Sequence, residues 1–81
     1  MTKEQIVDII KKYVVENLGT IKAEEIDIHK SMADYGANSL DVIEVVSCTM
    51  RELKIRVPRD ELGNIQNISQ LADKFFEHLP K

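Results

Sequence analysis

The chain has few of the residues that cross-link or interrupt small proteins: one cysteine, three glycines, two prolines and no tryptophan in 81 residues. A single cysteine, Cys48, excludes an internal disulfide framework. His29 and His78 are too few and too scattered to complete a zinc site with it. Aromatic residues make up only 5%, which predicts an aliphatic core.

Long apolar runs are also missing. Charged residues interrupt every apolar segment near the N-terminus, so we find no signal-peptide core, and no run approaches the length of a membrane span. We therefore expect a cytoplasmic protein that does not enter a membrane.

Positive charge is in the minority. The formal net charge of −3 disfavours nucleic acid and anionic membranes as partners and favours proteins with basic docking patches. A chain of this size buries about 60 to 70 per cent of its unfolded surface, so its core must be simple. We expect one domain over residues 1–81, working as a monomer.

Helical periodicity is strong at both ends of the chain. Thr2 and Gln5 have the spacing of a capping box, and apolar residues then recur at helical steps until Gly19. Asn67 and Gln70 similarly open a last helix. The apolar positions are Ile6, Ile9, Ile10, Tyr13, Val14 and Leu18 in the first helix, and Ile68, Leu71, Ala72, Phe75, Phe76 and Leu79 in the last.

The middle of the chain predicts two more helices and a loop. A second helix runs from about Ser39 to Leu53, and a brief third helix from Arg59 to Asn64, with Gly63 terminating it. Thr20 to Tyr35 has no sustained period and is expected to be a long loop, which in a compact domain argues for a functional reason. The predicted fold class is all-α: a small four-helix bundle, three main helices plus the short third one, with a long loop between helices 1 and 2. The loop is expected to be pinned by Ile21, Ile26, Ile28 and Met32.

The stretch from Asp34 to Asp41 is built to present a hydroxyl. Asn38 is a strong N-cap residue and Asp41 adds favourable charge in the first turn, which leaves Ser39 at the first helical position without a capping role. Gly36 permits the positive φ that a turn before a helix often needs. A phosphate ester on Ser39 would meet the positive end of the helix, so the site suits a phosphorylated attachment better than a nucleophile.

The second helix carries apolar residues on two sectors. Leu40 and Ile43 lie outside the core stripe, beside Asp41 and Glu44. Two interpretations stay open: the pair forms a surface for partner proteins, or it widens the buried face under the loop. Cys48 is expected to be a partly exposed bystander. The core stripe consists of Val42, Val45, Val46, Thr49 and Leu53.

A family resemblance rests on these residues. Asp34, Gly36, Asn38, Ser39, Leu40 and Asp41 resemble the attachment motif of acyl carrier proteins, Asp-x-Gly-x-(Asp/Asn)-Ser-Leu-(Asp), whose serine carries 4′-phosphopantetheine. The resemblance covers residues from about 34 to 76 and, more loosely, the first helix. It is also carried by Glu44, the Ile55 to Pro58 segment and the Ile65-x-Asn67-Ile68 helix start.

The resemblance implies a non-catalytic carrier domain. It places 4′-phosphopantetheine covalently on Ser39, added by a phosphopantetheinyl transferase, with acyl groups held as thioesters on the terminal thiol. It implies recognition by partner enzymes, namely an acyltransferase, a ketosynthase or a hydroxymethylglutaryl-CoA (HMG) synthase-like enzyme. The recognition residues it implies are Asp34, Asn38, Leu40, Asp41, Ile43 and Glu44.

A narrower resemblance concerns the C-terminal half. Val57-Pro58-Arg59-x-Glu61-Leu62-Gly63 and Asn67-Ile68-x-x-Leu71-Ala72-Asp73 are similar to stand-alone carriers of polyketide β-branching cassettes, which hold an acetyl unit for an HMG-synthase-like enzyme. The arginine that such carriers often have before the glutamate of helix 2 is missing, and Met50 and Arg51 stand where carriers commonly have acids. A carrier of fatty acid synthesis is the alternative.

Two other classes of function compete with a carrier. An enzyme with Ser39 as nucleophile would need an adjacent base and an oxyanion site, yet the two histidines lie in the long loop and near the C-terminus, and no Gly-x-Ser-x-Gly elbow is present. An unmodified helical interaction adaptor would work without Ser39.

Overall fold

The computed structural model describes residues 2–19, 21–62 and 65–79, with Ser39 and Arg59 described by their backbone. The described part contains helices and no strand, which confirms the all-α prediction. The helices are α1 (Lys3–Leu18), α2 (Ser39–Leu53), α3 (Arg59–Leu62) and α4 (Ile68–Glu77), and two 3₁₀ turns span Ala23–Glu25 and Met32–Tyr35.

Helix α1 begins and ends at the predicted residues. The Gln5 amide donates to Thr2 Oγ1 at 3.2 Å, and the Thr2 amide donates to Gln5 Oε1 at 2.9 Å, which completes the capping box. Gly19 adopts a left-handed conformation with φ 71° and donates its N–H to the Val15 carbonyl. These local bonds fix the length of the helix on which the others pack.

The core forms where α1 packs against both α2 and α4. It is aliphatic apart from Phe75, as the composition predicts. Thr49 is fully buried within it, and its hydroxyl donates to the Val45 carbonyl at 2.8 Å, so burial leaves no polar atom of this side chain unpaired. The largest fully buried side chains are Phe75, Ile6, Ile10, Ile68, Leu71, Val14 and Thr49.

The long segment between α1 and α2 is held at several points. Ile26 and Met32 are buried, as predicted, and the Ser69 amide of α4 donates to the Ile28 carbonyl at 2.9 Å. Tyr35 Oη accepts from the Asp27 amide at 2.5 Å. These contacts fix the segment that leads into α2. The two 3₁₀ turns within it are additions to the predicted loop.

The end of α2 agrees with the prediction. Helix α2 stops at Leu53, where Lys54 takes a left-handed conformation with φ 58°. Helix α3 ends at Leu62, and the predicted termination at Gly63 lies outside the described residues.

Side-chain contacts tie α3 to α4. Glu61 Oε2 lies 3.1 Å from His78 Nε2, and Lys74 Nζ lies 3.6 Å from Glu61 Oε1. The hydrogen bond with His78, with the nearby charge of Lys74, lowers the pKa of the Glu61 carboxyl below its ordinary value. The ionised carboxylate therefore anchors the short helix to its neighbour.

Candidate functional site

The turn that leads into α2 is a capped 3₁₀ turn. The Ala33 amide donates to Ser31 Oγ, and the Ser31 amide donates to Asp34 Oδ2, each at 3.2 Å. Gly36 follows with φ 87°, and its amide donates to the Ala33 carbonyl at 3.0 Å. The predicted positive φ at Gly36 is confirmed, and it redirects the chain toward α2.

Gly36 gives a direct test of this turn. An added Cβ at Gly36 would meet no atom within 4 Å, so a substitution there is disfavoured by the backbone conformation alone. We expect Gly36→Val to lower the free energy of unfolding by about 2 kcal/mol, because β-branched residues rarely adopt positive φ. Gly36→Asn is the control and should cost clearly less, since asparagine tolerates this region. Chemical denaturation measures both, and equal losses would contradict the role of φ.

Helix α2 opens with a reciprocal cap. The Asp41 amide donates to Asn38 Oδ1 at 2.9 Å, and the Asn38 amide donates to Asp41 Oδ2 at 3.1 Å. The pair confirms the predicted N-cap and places Ser39 at the first position of the helix. Negative charge is favoured at this end of a helix by its unpaired amides and dipole.

The structure decides between the two interpretations of Leu40 and Ile43, as a surface for partner proteins or as part of the buried face. Leu40 is 76% exposed and Ile43 is 51% exposed, whereas Val45 and Val46 are buried. Leu40 and Ile43 therefore do not widen the core, and with exposed Glu44 they form a surface directly after Ser39. Adjacent exposed apolar side chains of this kind suit contact with a partner protein.

A cleft of about 630 Å³ lies beside this helix start. Its lining combines mainly aliphatic side chains with polar residues from the turn and from the segment before α4. Asn38, which directly precedes Ser39, is among these lining residues. Its lining includes Ser31, Met32, Asn38, Val42, Ile43, Val46, Leu62, Ile65, Asn67 and Leu71.

The remaining reactive groups form no metal centre within the described part of the chain. Burial and a hydrogen bond to Glu44 raise the pKa of the Cys48 thiol, which keeps it in the less reactive protonated form. Within residues 2–19, 21–62 and 65–79, no three histidine, cysteine or acidic side chains converge as metal ligands. None of the helices in these same ranges has the length and apolar character needed to cross a bilayer.

The structure brings the sequence-predicted residues together but gives them different surroundings. The side chains of Asp34, Asn38 and Asp41 are engaged in capping bonds, while Leu40 and Ile43 project from the surface. Sequence reasoning missed the Ser31–Asp34 cap, although its three-residue spacing is a recognisable signal. It also missed the cleft, because a cavity between distant segments leaves no local pattern.

Comparison of the chain with known protein families agrees with an attachment site at the start of α2. The family model described as "Phosphopantetheine attachment site" matches residues 8–75. The match spans most of α1, all of α2 and α3 and most of α4, so it covers the fold as well as the motif.

Individual relatives point the same way. The polyketide biosynthesis acyl-carrier-protein AcpK of Bacillus subtilis (strain 168) is 25% identical over 77 residues, covering 95% of this chain and 94% of that protein. A solved chain from the complex of the curacin biosynthetic pathway HMG synthase with acetyl donor-ACP is 35% identical, with a TM-score of 0.83 over 93% of this chain and 96% of that chain. The chain therefore belongs to the phosphopantetheine-attachment family of acyl carrier proteins, in which a serine holds the prosthetic group covalently.

Proposed function

We propose that Ser39 is the residue that carries 4′-phosphopantetheine, and that this carrier delivers an acetyl unit in a polyketide pathway. The observation that carries the first part is the reciprocal cap between Asn38 and Asp41. The cap satisfies the third amide of α2 with the side chain of Asn38, so the helix start is capped by a neighbour of Ser39, which stands at the first helical position.

The surroundings of Ser39 fit the prosthetic group. The start of a helix favours the phosphate, and the neighbouring cleft is apolar enough to receive part of an arm or acyl chain. When bound, the group supplies a thiol that holds acyl units as thioesters. The chain's own residues tether that thiol, which raises its local concentration at the active site of each partner enzyme.

The six predicted recognition residues divide into two sets by their contacts. Asp34, Asn38 and Asp41 hold the turn and the helix start in shape, because their side-chain oxygens accept the capping hydrogen bonds from backbone amides. Leu40, Ile43 and Glu44 face outward and offer apolar area and negative charge to a phosphopantetheinyl transferase and to acyl-transferring enzymes. We propose contact roles for the second set.

The narrower proposal, acetyl donation for β-branching, is supported by the relatives. One belongs to polyketide biosynthesis, and the other is from a complex of an HMG synthase with its acetyl donor carrier. The second superposes on nearly the whole chain. We therefore propose an HMG-synthase-like enzyme as the partner that receives the acetyl group.

An acetyl transfer assay tests this proposal. The carrier is loaded from acetyl-CoA by a broad-specificity phosphopantetheinyl transferase and then mixed with the curacin-pathway HMG synthase. We expect acetyl to leave the carrier and appear on the synthase, as measured by intact-protein mass, and we expect Ser39→Ala to take no part.

A carrier of fatty acid synthesis predicts a different result. The acetylated carrier would then transfer nothing to the synthase, while the malonyl-loaded carrier would support chain elongation by a fatty-acid ketosynthase. That outcome would overturn the proposed pathway and keep Ser39 as the attachment residue.

A further inference from the structure

The outer face of α2, defined here by Leu40, Ile43, Glu44 and Arg51, carries opposite charges at its two ends. Glu44 and Arg51 are both exposed and are separated by seven residues. Seven residues make about two helical turns, so the two side chains lie on the same side of the helix, about 10 Å apart along its axis. A partner that covers Leu40 and Glu44 therefore reaches Arg51 as well.

The basic end of this face is not neutralised within the described part of the chain. Arg51, Lys54 and Arg56 are exposed, and none takes part in an ion pair among the described residues. Together they give the end of α2 and the following link a positive surface.

Glu52, the acidic residue next to Arg51 in sequence, is hydrogen-bonded to α1. Glu52 Oε1 accepts from Lys12 Nζ at 2.7 Å and from Tyr13 Oη at 2.6 Å. These hydrogen bonds lower the pKa of the Glu52 carboxyl and direct its charge toward α1. The positive charge of Arg51 is thus left for an external anion.

We infer that the acyl-transferring partner of this carrier presents two patches of opposite charge: a cationic patch that faces Glu44 and the start of α2, and carboxylates about 10 Å further on that face Arg51. The inference rests on the proposed function, because it assumes that the partner docks beside Ser39. Arg51 would disfavour a partner enzyme whose docking surface is basic throughout, because that surface would place like charge against it.

The acetyl transfer assay provides the test, with the curacin-pathway HMG synthase as the probe. Three variants of the loaded carrier are compared with the wild type: Arg51→Glu, Arg51→Lys and Lys22→Glu. Lys22 is exposed at the start of the 3₁₀ turn Ala23–Glu25, which packs against α1, so Lys22→Glu is a control with the same change in net charge outside α2. Thermal unfolding confirms that each variant is folded.

We expect Arg51→Glu to raise the KM for the carrier about tenfold at low salt with little change in kcat. The difference from wild type should shrink at high salt, because screening weakens exposed charge pairs. Arg51→Lys should stay near wild type, since it keeps the charge, and so should Lys22→Glu.

The acetyl transfer assay distinguishes failure of the proposed pathway from failure of the inference about Arg51. If the wild-type carrier transfers no acetyl at all, the proposed pathway fails and this inference fails with it. If the wild type transfers acetyl and Arg51→Glu behaves like Lys22→Glu, or improves transfer, only the inference is overturned.

Discussion

Replacing Phe75 by Ala is expected to lower the free energy of unfolding by about 3 to 5 kcal/mol. Phe75 is fully buried in α4 where that helix packs in the core. The large cost follows from the loss of apolar burial and from the cavity that remains. A domain of this size has a total stability of only about 4 to 12 kcal/mol, so the variant should be close to unfolding. Urea or thermal denaturation followed by circular dichroism measures the loss.

The neighbouring residue is a matched control for this prediction. Phe76 is 48% exposed, so Phe76→Ala should cost only about 1 kcal/mol. Similar losses in the free energy of unfolding for the two variants would mean that α4 does not bury Phe75 and expose Phe76.

Replacing Leu40 by Asp is expected to slow loading by a phosphopantetheinyl transferase by about thirtyfold in kcat/KM. Leu40 is the most exposed large apolar side chain of the described part, and it directly follows Ser39. A charge there removes a central apolar contact, which typically costs about 2 kcal/mol at an interface. The fold should be unaffected, since an acid is favoured in the first turn of a helix.

Phe76→Asp is the control for this effect. It also places a charge on an exposed apolar side chain, but on α4. We expect normal loading of this variant. If both aspartate variants load at the wild-type rate while remaining folded, Leu40 is not part of the docking surface.

The helix starts were predictable because their signals are local. Thr2 and Gln5 are three residues apart, and so are Asn38 and Asp41. The residue types at this spacing are therefore enough to predict the hydrogen bonds of both caps. The position of Ser39 at the first residue of α2 follows from the second pair.

Features that join distant segments were not predictable in the same way. Periodicity placed Leu40 and Ile43 outside the core stripe, but whether the long loop covered them depended on tertiary packing. The bond between Glu61 and His78 spans seventeen residues and has no local pattern. The cleft beside α2 likewise depends on how the first loop, α3 and α4 meet.

Intact-protein mass spectrometry tests the central claim most directly. Wild type, Ser39→Ala and Ser47→Ala are incubated with coenzyme A and a broad-specificity phosphopantetheinyl transferase. Ser47 is the matched control, because it is another serine of α2. We predict that the wild type and Ser47→Ala each gain one phosphopantetheine and that Ser39→Ala gains none. Loading of Ser39→Ala, or no gain by a folded wild-type sample, would contradict the assignment of Ser39 as the attachment residue.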